Sequence, residues 1–289
     1  MDKELLLLVS GFAFAMGACI ASFLNVVIWR VPRGESIVSP PSHCPKCGAA
    51  IRWYQNIPIL SWLALRGKCA NCKAPISPRY ILVETLGGIL FWLVFMRYAS
   101  PGKTFGAANV VSVVVMWIWT ALMIAGSFID FDHKLLPDFT TVGGMLLGVA
   151  YHGVLSLMSF FSAADHSTIR LFDYSIVPSL AGLVFGFGLL WLVRFVGSIA
   201  FRREAMGMGD VFLMGAIGAM CGPVAVIFTL VLSSIVGSVA GVSLIALSKT
   251  KFGRFVEIPY GPYLCLGCFV WMLCGPQLVA AYLRMLLGQ

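Results

Sequence analysis

The fold class this sequence predicts is an all-α polytopic membrane protein with about eight transmembrane helices and a small cysteine-rich insert. Three observations predict it. The 289 residues are 60% hydrophobic and 11% charged, with a mean hydropathy of +0.92; this is more apolar surface than one soluble core of that length can bury. Apolar runs of about 20 residues, enough to cross a bilayer at the helical rise, recur along the chain. A single polar stretch, residues 31–80, interrupts them with two Cys-x-x-Cys pairs.

Taken in order, the first run spans 5–29. It lacks the basic start and the small-residue cleavage site of a secretion signal, so it is expected to be a retained helix. Further runs fall at 81–99, 108–129, 139–161, 175–199, 211–222, 224–247 and 262–287. The sixth and seventh are separated only by Cys221-Gly222-Pro223, which must then form a very tight turn. Most of the 20 Lys and Arg lie in or beside the connections 30–80, 130–138, 194–210 and 248–259. The positive-inside rule makes that side cytoplasmic and accounts for much of the net charge of +8. Nucleic-acid binding is disfavoured, because basic residues interleaved with aromatics on a soluble module are lacking.

The chain therefore divides into a first transmembrane helix (1–30), a cytoplasmic insert (31–80) and a transmembrane core (81–289). Within the insert stand "HCPKCGAAI" and "GKCANCKAPI". Cys44, Cys47, Cys69 and Cys72 supply four sulfurs from two turns, the set that completes a closed tetrahedral zinc site. Two disulfides or four idle thiols are the alternatives, and a reducing cytosol disfavours the first. With no open coordination position the zinc would be structural, folding a knuckle whose own core is too small to hold it. Cys265 and Cys268, inside an apolar run, are read as small buried core residues.

Of 12 Asp and Glu, two lie where apolar runs meet the basic side. Asp130 ends the third run in "IDFDHKLLPDF", and Asp210 opens the sixth in "GMGDV". Asp132 is expected to be solvated, and Asp138, after a proline, suits a helix N-cap. Ionisable groups at membrane depth are expensive and usually functional. Two carboxylates brought together share one proton, so that one activates water while the other protonates the reacting group. That is aspartic peptidase chemistry. Gly207 and Gly209 would let a peptide backbone approach Asp210. A proton-coupled transporter with a structural zinc module and a pair of unrelated capping residues remain alternatives, as does a non-catalytic assembly protein. The absence of G-x-S-x-G and H-E-x-x-H disfavours serine and zinc proteases. Helix macrodipoles would put the shared proton on Asp130, at a helix end, and leave Asp210, at a helix start, as the base.

The stretches "ASFLNVVIWRVPRGES", "CPKCGAAIRWYQNIPILSWLALRGKCANCKAPISPRYILVETL", "DFDHKLLPD", "GMGDV" and "PYGPYL" together resemble the type IV prepilin leader peptidase and N-methyltransferase family. The resemblance implies a bifunctional GxGD-type aspartic endopeptidase of the bacterial inner membrane, active on its cytoplasmic face. Its substrates would be prepilins and type II secretion pseudopilins, cut after the glycine that precedes their apolar helix. The catalytic pair falls on Asp130 and Asp210 and the metal positions on Cys44, Cys47, Cys69 and Cys72. The family also methylates the new N-terminal residue from S-adenosylmethionine, which implies cofactor contacts at Gly67 and Lys68, and at Glu84 unless an arginine pairs with it. No Rossmann-type fingerprint for that cofactor is present. Membrane lipid is the other expected partner, and oligomeric state is open. The chain departs from the family pattern at Phe212, where lysine is usual, and at Ala21, where glycine is.

Overall fold

The structure, a computed structural model, describes residues 3–98, 106–162, 176–204, 206–247 and 259–287. The basic connection 248–258 lies outside the described residues, which contain helices and turns but no β-strand. Eight apolar helices appear where the runs predict them: α1 (Lys3–Arg30), α3 (Arg79–Tyr98), α4 (Ala107–His133), α5 (Asp138–Ser162), α6 (Ile176–Phe201), α7 (Met208–Cys221), α8 (Pro223–Leu247) and α9 (Gly261–Leu287). The short α2 (Leu60–Ala64) lies in the insert. Seven of the apolar helices are long enough to cross a membrane; α7 is the shorter one. The chain divides into two compact units, Met1–Ala125 and Gly126–Gln289.

In the first unit α1 packs on α3 through small residues, as membrane helices do when close backbone approach must substitute for a hydrophobic driving force. A Cβ on Gly17 would stand 2.5 Å from the Phe91 Cβ, and one on Gly87 would overlap Ala21. Ala21, the departure from the family pattern, thus fits directly over Gly87. Trp117 of α4 stacks on Phe91 at 5.5 Å, and its indole N–H donates to the Phe91 carbonyl at 2.9 Å, so no polar atom of that ring is left bare in an apolar setting.

In the second unit α7 is the innermost helix, buried along nearly its whole length between α5, α6, α8 and α9. Glycines allow this. A Cβ on Gly182 of α6 would collide with the Gly218 carbonyl, and one on Gly186 would stand 2.5 Å from the Met214 carbonyl. At about 21 Å, from 14 residues at the helical rise, α7 is shorter than the hydrocarbon layer, so its last carbonyls end where water cannot reach them. Side chains from two neighbours serve instead: Ser179 Oγ donates to Ala219 O at 2.7 Å, and His152 Nε2 to Met220 O at 3.1 Å. Gly222, at φ 83°, then reverses the chain so that α8 begins at the next residue, which is the tight turn the sequence requires.

Candidate active site and metal centre

Three helix ends in the second unit assemble the acidic site. At the end of α4, Lys134 adopts φ 54° and its N–H returns to the Asp130 carbonyl at 2.8 Å, closing the last turn around Asp130. The Asp130 side chain is buried, and its Oδ2 accepts the backbone N–H of Gly261 at 2.9 Å. Gly261 opens α9, so this N–H is one that a helix leaves unpaired within itself. A Cβ on Gly261 would stand 2.7 Å from that Oδ2; a residue without one is needed. Tyr260, just before it, is tied to α8 by its hydroxyl, 2.8 Å from Ser233 Oγ and 3.3 Å from Ser234 Oγ.

Asp210 lies in the first turn of α7, after the extended Gly207. It too is buried, and its Oδ1 has no hydrogen-bond partner among the described residues. Leu136 is wedged beside both ends: a Cβ on Gly209 would meet the Leu136 Cβ at 2.9 Å, and one on Gly126 the Leu136 Cδ2 at 3.5 Å. Leu136 therefore packs against α4 four residues before Asp130 and against α7 one residue before Asp210, which brings the two buried carboxyls to one corner of the unit. Arg194 of α6 anchors the segment leading to Asp210, with Nε donating to Met206 O at 2.9 Å and Nη2 paired with Glu204 at 3.2 Å. Phe212, where lysine is usual, packs its ring tilted at 56° against Phe187, with centroids 5.6 Å apart, and so extends the apolar contact between α6 and α7.

One expectation changes. Asp138 opens α5 as an exposed first-turn residue, while the carbonyl of Pro137 receives the Thr140 N–H and hydroxyl. The macrodipole expectation for the shared proton counts only each aspartate's own helix, and a third helix end enters the site. The N-terminus of α9 meets Asp130 and favours its charged form, whereas Asp210 has a buried oxygen that nothing solvates. Sequence reasoning missed Gly261. Its signal was the "PYGPYL" segment, which was noted but given no role.

The metal centre belongs to the first unit. Sulfurs of Cys44, Cys47, Cys69 and Cys72 all lie within 4.8 Å of one another, and Cys44 and Cys72 are 3.9 Å apart. A tetrahedral ion with sulfur bonds of about 2.3 Å needs sulfurs about 3.8 Å apart, so the set fits. It is built from a repeated turn. Cys44 N–H donates to Ala49 O and Gly48 N–H to Cys44 O; Cys69 N–H donates to Ala74 O and Lys73 N–H to Cys69 O. The left-handed residue is Gly48 in the first turn and Lys73, at φ 59°, in the second. Backbone N–H groups of Cys72 and Asn71 hold the Cys69 thiol low, at about 6, as suits a metal ligand.

The three positions implied for the methyl donor are also in this unit. Gly67 is at φ 66°, and a Cβ there would stand 2.8 Å from the Trp62 ring. Lys68 is exposed. Glu84 is buried in α3, and its Oε2 accepts the Ile59 N–H at 2.7 Å, so among the described residues its partner is backbone rather than arginine.

Comparison with known proteins covers most of the chain. Residues 15–98 match the model of the bacterial peptidase A24 N-terminal domain, and residues 117–242 that of the type IV leader peptidase family. A prepilin leader peptidase/N-methyltransferase of Myxococcus xanthus is 40% identical over 85% of this chain and 66% of its own length. One from Stutzerimonas stutzeri is 34% identical over 94% of this chain and 93% of its own. A type 4 prepilin-like proteins leader peptide-processing enzyme of Escherichia coli is 36% identical over 87% and 88%. No solved structure matches the chain.

Proposed function

The chain belongs to the type IV leader peptidase family, and from that premise we propose a bifunctional membrane enzyme that cuts the leader from prepilins and then N-methylates the new N-terminus. The observation that carries the peptidase reading is the convergence of two buried aspartates, from the end of α4 and the start of α7, at the corner that Leu136 closes. Pseudopilins are included as substrates, since the chemistry needs only a glycine ahead of an apolar helix that enters the bilayer. The basic connections put the cutting side in the cytoplasm of a bacterial inner-membrane protein.

In this mechanism Asp130, ionised against the Gly261 N–H, takes a proton from water, and the resulting hydroxide adds to the scissile carbonyl carbon. Asp210 gives its proton to the carbonyl oxygen as charge develops there. When the tetrahedral gem-diol collapses, Asp130 gives the proton it took from water to the leaving amine, Asp210 takes a proton back from a diol hydroxyl as the carbonyl re-forms, and the C–N bond breaks, which restores the dyad. Gly261 sets the position of Asp130. Gly261→Ala is expected to lower kcat for leader cleavage by about 10²-fold, the scale of an ångström's misplacement of a reacting group, with KM little changed. Steady-state kinetics on a prepilin peptide checks this.

The four cysteines would hold a zinc ion, whose contribution is to cross-link the two turns of the insert. Methylation would draw on S-adenosylmethionine as methyl source. Of the three family positions, Gly67 and Glu84 are engaged in packing and in fixing Ile59, so we assign the direct contact to Lys68. Incubating the purified enzyme with prepilin and methyl donor tests the whole reading: mass spectrometry should find the leader released and the mature chain heavier by one methyl group. Intact prepilin would refute it.

A further inference from the structure

The insert reaches along α1 and α3. At 20 residues α3 is about 30 Å long, the thickness of the hydrocarbon layer, so Arg79 marks one edge of that layer. Glu84 is then about 7 Å inside it by helical rise, and Glu84 holds the backbone N–H of Ile59 at the start of α2. On α1 the level is set by Asn25, whose Nδ2 reaches Tyr80 O at 3.5 Å. Cys19, Ser22 and Phe23 lie deeper than Asn25, yet they share a groove with Val38, Pro40 and Pro58 of the insert. Arg30 hangs the first of these segments in place, donating from Nη1 to Ser36 O at 2.8 Å and from Nη2 to Pro40 O at 2.7 Å.

The segments around these contacts also expose apolar side chains. Val38 is 84% exposed, Trp53 81%, Leu60 65% and Leu63 54%. Water would penalise all four. Exposed basic groups, Arg52 and Arg66, flank the 53–63 stretch in sequence, and residues 31–80 hold one acidic residue, Glu35. An apolar tip with a basic collar at a depth of about 5–10 Å is the pattern of an element lying in the interfacial layer.

We propose that residues 53–63, together with Val38, form a re-entrant apron against α1 and α3 that is embedded in lipid, with Arg52 and Arg66 meeting anionic headgroups. The occupant of this surface is the bilayer itself, and charge complementarity and depth both select it over a protein partner.

The test is photo-crosslinking of the full-length protein in nanodiscs of phosphatidylethanolamine and phosphatidylglycerol, with prepilin added. A benzophenone amino acid replaces Leu60 or Leu63, and, as a reference on the exposed face of the first cysteine turn, Lys46. Zinc content measured on each variant reports that the insert is folded. Mass spectrometry should find phospholipid adducts at 60 and 63 at least about tenfold above those at 46. Adducts to prepilin or to a second copy of the chain in place of lipid, or yields equal to those at 46, would overturn the proposal.

Discussion

Asp130→Asn and Asp210→Asn are each expected to lower the rate of leader cleavage by about 10³-fold or more, the scale of general acid–base catalysis lost from a positioned carboxyl, equivalent to about 4 kcal/mol of transition-state stabilisation. Both substitutions conserve volume, so the helix packing around α7 should persist. Because the pair acts as a unit, the double variant should be no slower than either single one. The measurement is single-turnover cleavage of a prepilin with circular dichroism as the folding control. Methylation of a pilin supplied already cut should continue in both variants, because neither aspartate has a role in it. A proton-coupled transporter would leave prepilin uncut even by the unaltered protein, and a non-catalytic assembly protein would tolerate both replacements.

Replacing Cys69 by Ser is the second large change. Three remaining sulfurs cannot close the tetrahedron, and the binding free energy of a structural zinc, on the order of 10 kcal/mol in small domains, is also folding free energy. The two cysteine turns, 42–51 and 67–76, have little else to hold them: they carry short backbone bonds and few buried apolar side chains. The expected result is loss of bound zinc together with rapid amide exchange across both turns, while α1 and α3 keep their protection through the Gly17, Ala21 and Gly87 contacts. Zinc analysis and hydrogen exchange on the same sample check it. A strong chelator should give the same pattern in the unaltered protein.

The spans were legible because hydrocarbon imposes one length and one polarity on whatever crosses it, so every apolar run became a helix within a few residues of its expected ends. Local spacing likewise carried the cysteine site, since each pair makes its own turn before the two meet. The aspartates could be picked out by cost, as charges where few are tolerated. What could not be read is what lies across the fold from each. Gly261 and Asp130 are 131 residues apart, and no local pattern says that the start of α9 is offered to the end of α4. That one contact brings Asp130 a second helix end, which isolated helix dipoles leave out of account. Glu84 was similarly opaque: a buried carboxylate in α3 calls for a partner, but a backbone N–H in a distant loop has no residue type to announce it. The capping of α7 by Ser179 and His152 belongs to the same class.

Infrared spectroscopy of the protonated carboxyl C=O band at neutral pH tests the dyad most directly. The account predicts one such band in the unaltered protein that disappears in Asp210→Asn, leaving Asp130 ionised against the Gly261 N–H. A band that survives Asp210→Asn, or the lack of any band that responds to either substitution, would contradict it.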